Sequence, residues 1–316
     1  MNDTQPSLEN RFVGCLLGLA VGDALGAFFE GQSDEYITEL YPTVSDLVDN
    51  PPPGELSYTD DTQMAIGVAE TLVACRCIDE HKLCKRFAAN YSRQRGYGRG
   101  SRIVIEAMIE GDDHKYLAEN QFPGGSFGNG AAMRVAPVGL MFRHNFDLLW
   151  EQARLSALPT HVHPSGIEGA QILALAVGLA SNSLHLDCDI FFTTLAEKCS
   201  SSEYSGPLKR AGRLDNRRDL ALFGNGIEAA SSVVTAIACF TLTPNSYEQA
   251  IGNAILLGGD TDTIAAMAGA ISGAYLGSQA IPTHLLQSLE DRYQGRQFIE
   301  DLAKQLCDAH GVLTSE

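Results

Sequence analysis

Glycine returns every fourth residue in two places, at Gly14, Gly18, Gly22 and Gly26 and again at Gly269, Gly273 and Gly277. On a helix this spacing lines one face with residues that carry no side chain. A glycine inside a helix costs about 0.5–1 kcal/mol relative to alanine. Close approach of a neighbouring backbone is the return that offsets it. A run of four is harder to assign to chance than a single pair, even in a chain with 31 glycines. The sequence therefore asks for helices with bare faces.

The rest of the chain is helical in period as well. Candidate helices cover 10–29, 62–76, 80–92, 101–110, 146–157, 165–181, 188–199, 225–240, 246–256, 262–276, 283–289 and 296–309. No alternating run lies between turn signals, so no strand is expected. Residues 31–58 contain Pro51-Pro52-Pro53-Gly54 and cannot form one continuous element. A second irregular segment, Phe122-Pro123-Gly124-Gly125-Ser126-Phe127-Gly128-Asn129-Gly130, places four glycines in seven positions. No linker separates two cores. The expected fold is a single all-α domain over 1–316, with its core at about 10–310.

Two helix starts carry more charge than helices need. Tyr58-Thr59-Asp60-Asp61-Thr62 precedes one apolar, alanine-rich segment, and Gly258-Gly259-Asp260-Thr261-Asp262-Thr263 precedes another about two hundred residues later. Thr or Asp before such a run is an N-cap signal. Capping accounts for one side chain per helix, not for two carboxylates. The helix dipole eases crowded negative charge by only about 0.3–1 kcal/mol. A divalent cation is the stronger partner, and carboxylate plus hydroxyl oxygen suits Mg²⁺ or Mn²⁺ better than zinc. The two runs read as halves of one oxygen-lined metal site.

The net charge is −17, which argues against non-specific nucleic-acid binding and against docking on an anionic membrane surface. An anionic ligand would be held by metal ions and backbone N–H groups, not by the overall field. The eight cysteines show no Cys-x-x-Cys pair and read mostly as buried free thiols of a reducing compartment. Residues 1–6 lack the basic and apolar regions of a signal peptide. The expected location is the cytoplasm, or also the nucleus in a eukaryote, without secretion. Residues 13–29 are short for a membrane span and carry Asp23, so they read as a buried helix.

Other residues offer chemistry with a plainer use beside it. The glycine loop is neither a Walker motif nor a dinucleotide fingerprint. It is a flexible connector, or a cradle of N–H groups for phosphate ahead of a helix N-terminus. Phe127 within it offers a face to a base or ribose, or simply anchors the loop. Asp23 and Glu30 lie seven apart, on one face of the first helix if that helix reaches Phe29. Glu30 at a helix C-terminus meets an unfavourable dipole, so it is a free surface residue, a general base or a metal-gating carboxylate. In Thr160-His161-Val162-His163-Pro164 no third zinc ligand stands nearby. One histidine contacts ligand or caps the following helix. Tyr97 is a loop aromatic of open role.

Together these residues resemble the ADP-ribosylglycohydrolase family, which includes the dinitrogenase reductase-activating glycohydrolase. The resemblance runs from about Phe12 to Gly277. It rests on Gly22-Asp23-Ala24-Leu25-Gly26, both acidic motifs, Gly128-Asn129-Gly130 with Ala132-Met133-Arg134, and Gly224-Asn225-Gly226. Ala27-Phe28-Phe29-Glu30, Arg95-Gly96-Tyr97-Gly98 and Leu158-Pro159-Thr160-His161 are most similar to the third type of animal ADP-ribosyl-acceptor hydrolase. That type releases ADP-ribose from serine and trims poly(ADP-ribose).

The resemblance implies a compact orthogonal multi-helix fold and two Mg²⁺ ions, with Mn²⁺ as the substitute. It implies Thr59, Asp60, Asp61, Asp260, Asp262 and Thr263 as ligands and Glu30 as the gating, catalytic glutamate. Gly125, Ser126, Phe127, Gly128 and Asn129 would hold the diphosphate and adenosine, with His161, Asp23 and Tyr97 also at the substrate. Phe127 stands where the animal type has Tyr, so stacking survives and a hydroxyl contact is lost. His163 has no counterpart, and 182–223 does not align. The activity implied is Mg²⁺-dependent hydrolysis of the O-glycosidic bond between ADP-ribose and protein serine, and of poly(ADP-ribose). Its partners would be ADP-ribosylated proteins and ADP-ribose itself. Hydrolysis of ADP-ribosyl-arginine, a non-catalytic ADP-ribose binder and a generic metal phosphohydrolase are the other readings.

Overall fold

The structure is a computed structural model and describes residues 5–314. The signal-peptide reading of residues 1–6 falls mostly outside that range. The helices are α1 (Leu8–Gly26), α2 (Asp34–Leu40), α3 (Val44–Asp49), α4 (Asp60–Cys75), α5 (Glu80–Asn90), α6 (Arg99–Glu110), α7 (His114–Asn120), α8 (Ala136–Met141), α9 (Phe146–Ala157), α10 (Pro164–Asn182), α11 (Cys188–Lys198), α12 (Ser202–Ala211), α13 (Ala229–Leu242), α14 (Tyr247–Ile255), α15 (Thr261–Leu276), α16 (Thr283–Ser288) and α17 (Arg296–Leu313). Among the described residues there is no strand, only isolated bridges at Ser33–Gly258, Leu56–Leu289 and Gly128–Glu228. The fold is all-α around one continuous apolar core.

The glycine stripes face each other. α1 and α15 run antiparallel, so Gly14 meets Gly273, Gly18 meets Gly269, Gly22 meets Ala265 and Gly26 meets Thr261. A Cβ added at Gly18 would lie 2.5 Å from the Gly269 carbonyl oxygen, and one at Gly22 would lie 2.3 Å from that of Ala265. No side chain fits between these backbones. Gly277 closes α15 as its C-cap and still abuts Gly14 and Asn10 of α1. This antiparallel contact sets the end of α1 beside the start of α15. α1 is long and apolar enough to cross a membrane by composition, but 89% of its most apolar window is buried inside the protein.

Several elements differ from expectation. α2, α3, α7 and α8 are too short to show a period. α2 and α3 instead rest on caps: Ser33 accepts from the Tyr36 N–H, and Thr43 with Asp46 forms a capping box. α12 was hidden by Gly206 and by Pro207, which lies inside it. α13 starts at Ala229, not at 225, because Asn225 and Gly226 belong to the loop that packs on the start of α15. The thiols are free, but only Cys15, Cys84 and Cys239 are buried.

Candidate active site

Three chain ends converge here: the turn after α1, the start of α4 and the start of α15. α1 stops at Gly26, and a single 3₁₀ turn carries Ala27–Phe29 to Glu30. Asp23 and Glu30 therefore do not share a helix face. Glu30 is exposed and reaches the start of α15. Asp23 is fully buried and points at α4. It accepts from the Thr59 N–H at 2.9 Å, the Thr62 N–H at 3.0 Å and the Thr62 hydroxyl at 2.5 Å. Its expected contact with substrate is corrected to a role in holding the α4 start. Burial pushes its pKa up to about 6, although these hydrogen bonds pull it down.

Thr59 is the N-cap of α4, and its hydroxyl accepts from the Asp61 N–H at 3.3 Å. With Asp23 taking other N–H groups, Asp60 and Asp61 are spared from capping. Asp61 is 2% exposed, and its Oδ2 has no hydrogen-bond partner among the described residues. At the other start, Asp260 is the N-cap of α15 yet makes no side-chain cap bond. Its carboxylate accepts from the Asn129 amide, which also donates to Ser232 Oγ at 3.1 Å. The Asp262 carboxylate accepts from the Thr263 N–H at 2.9 Å. Gly258 and Gly259 have φ of 70° and 76°, a region that favours glycine. There Gly259 donates to the Gln32 carbonyl and accepts from the Gly31 N–H, each at 2.8 Å. This pairing brings Glu30 to α15: oxygens of Glu30, Asp260 and Asp262 lie within 4.8 Å of one another.

These groups line a cavity of about 330 Å³ that also contains Thr59, Asp60, Asp61 and Thr263. Burial first, and the neighbouring carboxylates next, raise the acids. Asp60 goes to about 7, Asp262 to about 9, and Asp61 well above the usual range. Asp260 is also raised by burial, against the pull of Asn129. Arg99 is the one cation among the lining residues, so the protein supplies too little positive charge of its own. An orphaned buried carboxylate oxygen among acids that repel one another fits a divalent cation. Glu30, Thr59, Asp60, Asp61, Asp260, Asp262 and Thr263 are the oxygens that would hold it.

Ser126, Gly128, Asn129 and His161 line the same cavity, whereas Gly125, Phe127, Asp23 and Tyr97 do not. Gly125 packs against Val162 and His163. Phe127 is half exposed and sets its ring edge against His163, with centroids 5.9 Å apart. The aromatic wall of the cavity is Phe122. Tyr97 is buried, and its hydroxyl donates to Gln63 at 2.9 Å. Its neighbours Gly96 and Gly98 reach the cavity instead. The glycine loop does not lead straight into a helix. It enters a 3₁₀ turn at Asn129–Ala131. Its Gly125, Gly128 and Asn129 N–H groups are taken by Phe122 O, Ser126 Oγ and Ile227 O. The His161 ring pairs with the Thr160 hydroxyl at 2.7 Å. Burial, then Arg134, pushes its pKa down to about 3, so it is neutral. His163 caps α10 by accepting from the Ser165 N–H.

Three supports act in roles that the sequence did not show, two of them, Asn225 and Arg95, from within motifs of the family resemblance. The Asn225 carbonyl accepts from the Asp260 N–H at 2.8 Å. Glu290 accepts from the Tyr58 N–H at 3.0 Å and pairs with Arg95. The Arg95 guanidinium lies 3.7 Å from the Tyr58 ring centroid. They fix the backbone entering each acidic start from far away in the chain.

The sequence matches the ADP-ribosylglycohydrolase family over residues 4–315. It is 38% identical to the ADP-ribosylhydrolase ARH3 of Bos taurus and to that of Homo sapiens, each match covering 89% of both chains. A solved structure titled "ADP-ribosylglycohydrolase-related protein complex" superposes with a TM-score of 0.72 at 28% identity, covering 96% of this chain and 99% of that one. With a family match over nearly its whole length, this chain belongs to the ADP-ribosylglycohydrolase family, hydrolases that act on glycosyl bonds.

Proposed function

We propose that this chain hydrolyses the O-glycosidic bond between ADP-ribose and a protein serine, with Mg²⁺ as its metal. The observation that carries the reading is the meeting of one exposed carboxylate, Glu30, with the buried carboxylates of two helix starts in one cavity. The serine linkage is supported by the motifs similar to the third acceptor-hydrolase type and by the identity to the ARH3 proteins. Bound cations would supply Lewis-acid polarisation and orient the ribose hydroxyls. Phe122 would stack on the adenosine, and Arg99 with the Ser126–Asn129 loop would hold the diphosphate. Neutral His161 would offer a hydrogen bond without adding charge.

Glu30 is the proton-transfer group of this reading. It is exposed where Asp61, Asp260 and Asp262 are buried and Asp60 half-buried, so it is the carboxylate most open to water and the leaving group. In the balanced reaction the anomeric carbon–oxygen bond breaks and a water oxygen bonds to that carbon. One water proton ends on the serine oxygen. Release of ADP-ribose from serine-linked, arginine-linked and polymeric substrates, with Mg²⁺ and then with chelator, tests the reading. Release from the serine substrate that stops with chelator is expected. Faster release from arginine would overturn the linkage, and metal binding without release from any substrate would overturn the activity.

A further inference from the structure

The negative excess of this chain is not uniform. Lys209, Arg210, Arg213, Arg217 and Arg218 fall within ten residues, from the end of α12 into a 3₁₀ turn at Arg217–Phe223. None of their side chains forms an ion pair or hydrogen bond with a described residue. Arg217 is the one whose burial matters: it is half-buried, which lowers its pKa, and the only group pulling the other way is the Cys239 thiol. Arg217 lines a groove of about 300 Å³ and also borders a neighbouring cavity that holds Asp34, with which it forms no ion pair. The other walls of the groove are the head of α3 at Thr43 and Ser45, the end of α13 at Thr243, and Gln249 and Asn253 on α14.

No carboxylate lines this groove, in a chain with 39 acidic residues. Asn253 is 3% exposed. Its side-chain amide, like that of Gln249, makes no hydrogen bond with a described residue. The Asn253 amide opens onto the groove with no protein partner, and a half-buried guanidinium without a counterion is costly. Both deficits are met by the same kind of group, since guanidinium and amide N–H groups converge on oxyanions. None of the lining residues belongs to the active cavity. We propose that this groove is a binding site for a small oxyanion-bearing ligand, a phosphate or a carboxylate. Arg217 is its charge partner, and Asn253 and Gln249 are its hydrogen-bond donors.

Isothermal titration calorimetry of the full chain with inorganic phosphate, and separately with malonate, tests the site. Saturable binding is expected, weakened at least tenfold in Arg217→Ala and partly kept in Arg217→Lys. Arg99→Ala, in the active cavity, should leave it unchanged. Tighter binding of phosphate assigns the site to a phosphate ligand, and tighter binding of malonate to a carboxylate. No saturable binding of either anion would overturn the proposal. So would binding that survives Arg217→Ala in full or that is lost in Arg99→Ala.

Discussion

The two acidic starts look alike in sequence and are supported differently. At α4, a carboxylate from another helix, Asp23, takes the Thr59 and Thr62 N–H groups, leaving Asp61 Oδ2 without a partner. At α15, the turn is made by two left-handed glycines, and the Asn129 amide donates to Asp260 and the Thr263 N–H to Asp262. The motif threonines also part ways. Thr62 donates to Asp23, while Thr261 donates to the Gly26 carbonyl at 2.8 Å and ties α15 to α1. The difference answers the capping question. Asp61 and Asp260 are not spent on capping their own helices, and Asp262 gives one oxygen to the Thr263 N–H, so each start keeps carboxylate oxygens to face a cation.

Glu30 is what the two halves share, and removing its proton chemistry should have the largest effect. Glu30→Gln is expected to lower turnover by roughly 10²–10⁴-fold, the usual range for a general acid or base. ADP-ribose binding, followed by calorimetry, should persist. Near-normal turnover in this variant would sink the role given to Glu30. Breaking one support at a time then sharpens the comparison. Asp23→Ala and Asn129→Ala should each weaken metal affinity by about 10–100-fold, as losses behind a ligand do. They should differ in stability. Asp23→Ala strands buried N–H groups at α4 and should lower the melting temperature clearly, because such orphans cost about 1–3 kcal/mol each. Asn129→Ala should leave it nearly unchanged. Equal melting losses in both variants would show that the two halves are not supported differently.

The α15 half depends on the glycine contact, and Gly22→Ala should break it. The added Cβ would lie 2.3 Å from the Ala265 carbonyl oxygen. Overpacking of this kind costs about 1–3 kcal/mol, which thermal unfolding will read. A melting temperature at or above wild type would mean that α1 and α15 separate without penalty.

What could be read from the sequence follows the range of the interaction. Gly14, Gly18 and Gly22 show their stripe within one helix, and Gly269 and Gly273 show the same spacing, so two bare helix faces were visible, though not that they pack on each other. The Thr59–Asp61 and Asp260–Thr263 runs were visible because every member is a neighbour in the chain. Glu290 was not, and Arg95 and Asn225 were seen only as motif members without these roles, since each acts on a distant backbone through hydrogen bonds or a ring contact. Asp23 was found, but the shared face with Glu30 was not kept. That face depended on the helix reaching Phe29, and a 3₁₀ turn at Ala27–Phe29 breaks the register. Tyr97 was chosen for its ring, whereas its small neighbours Gly96 and Gly98 form the wall.

The smallest expected effect concerns pH. Ordinary aspartates titrate near 3.8, while without metal Asp60 sits at about 7 and Asp262 at about 9. A raised folded-state pKa means that the folded protein holds these protons more tightly than the unfolded chain. Their contribution to stability is complete below the ordinary value and is lost as pH rises through the folded values. Metal-free protein should therefore become less stable between pH 6 and 9. Mg²⁺ pairs with the ionised carboxylates, so its stabilisation should grow over the same interval. At a hundredfold excess over its dissociation constant the gain is about 2.7 kcal/mol. For a chain this long that is a shift of several degrees in melting temperature. Scanning calorimetry with and without Mg²⁺ at pH 6, 7.5 and 9 will measure it. A gain that is flat or falls with pH would mean that the carboxylates of the two starts are already ionised without metal, and the electrostatic argument for the site would fail.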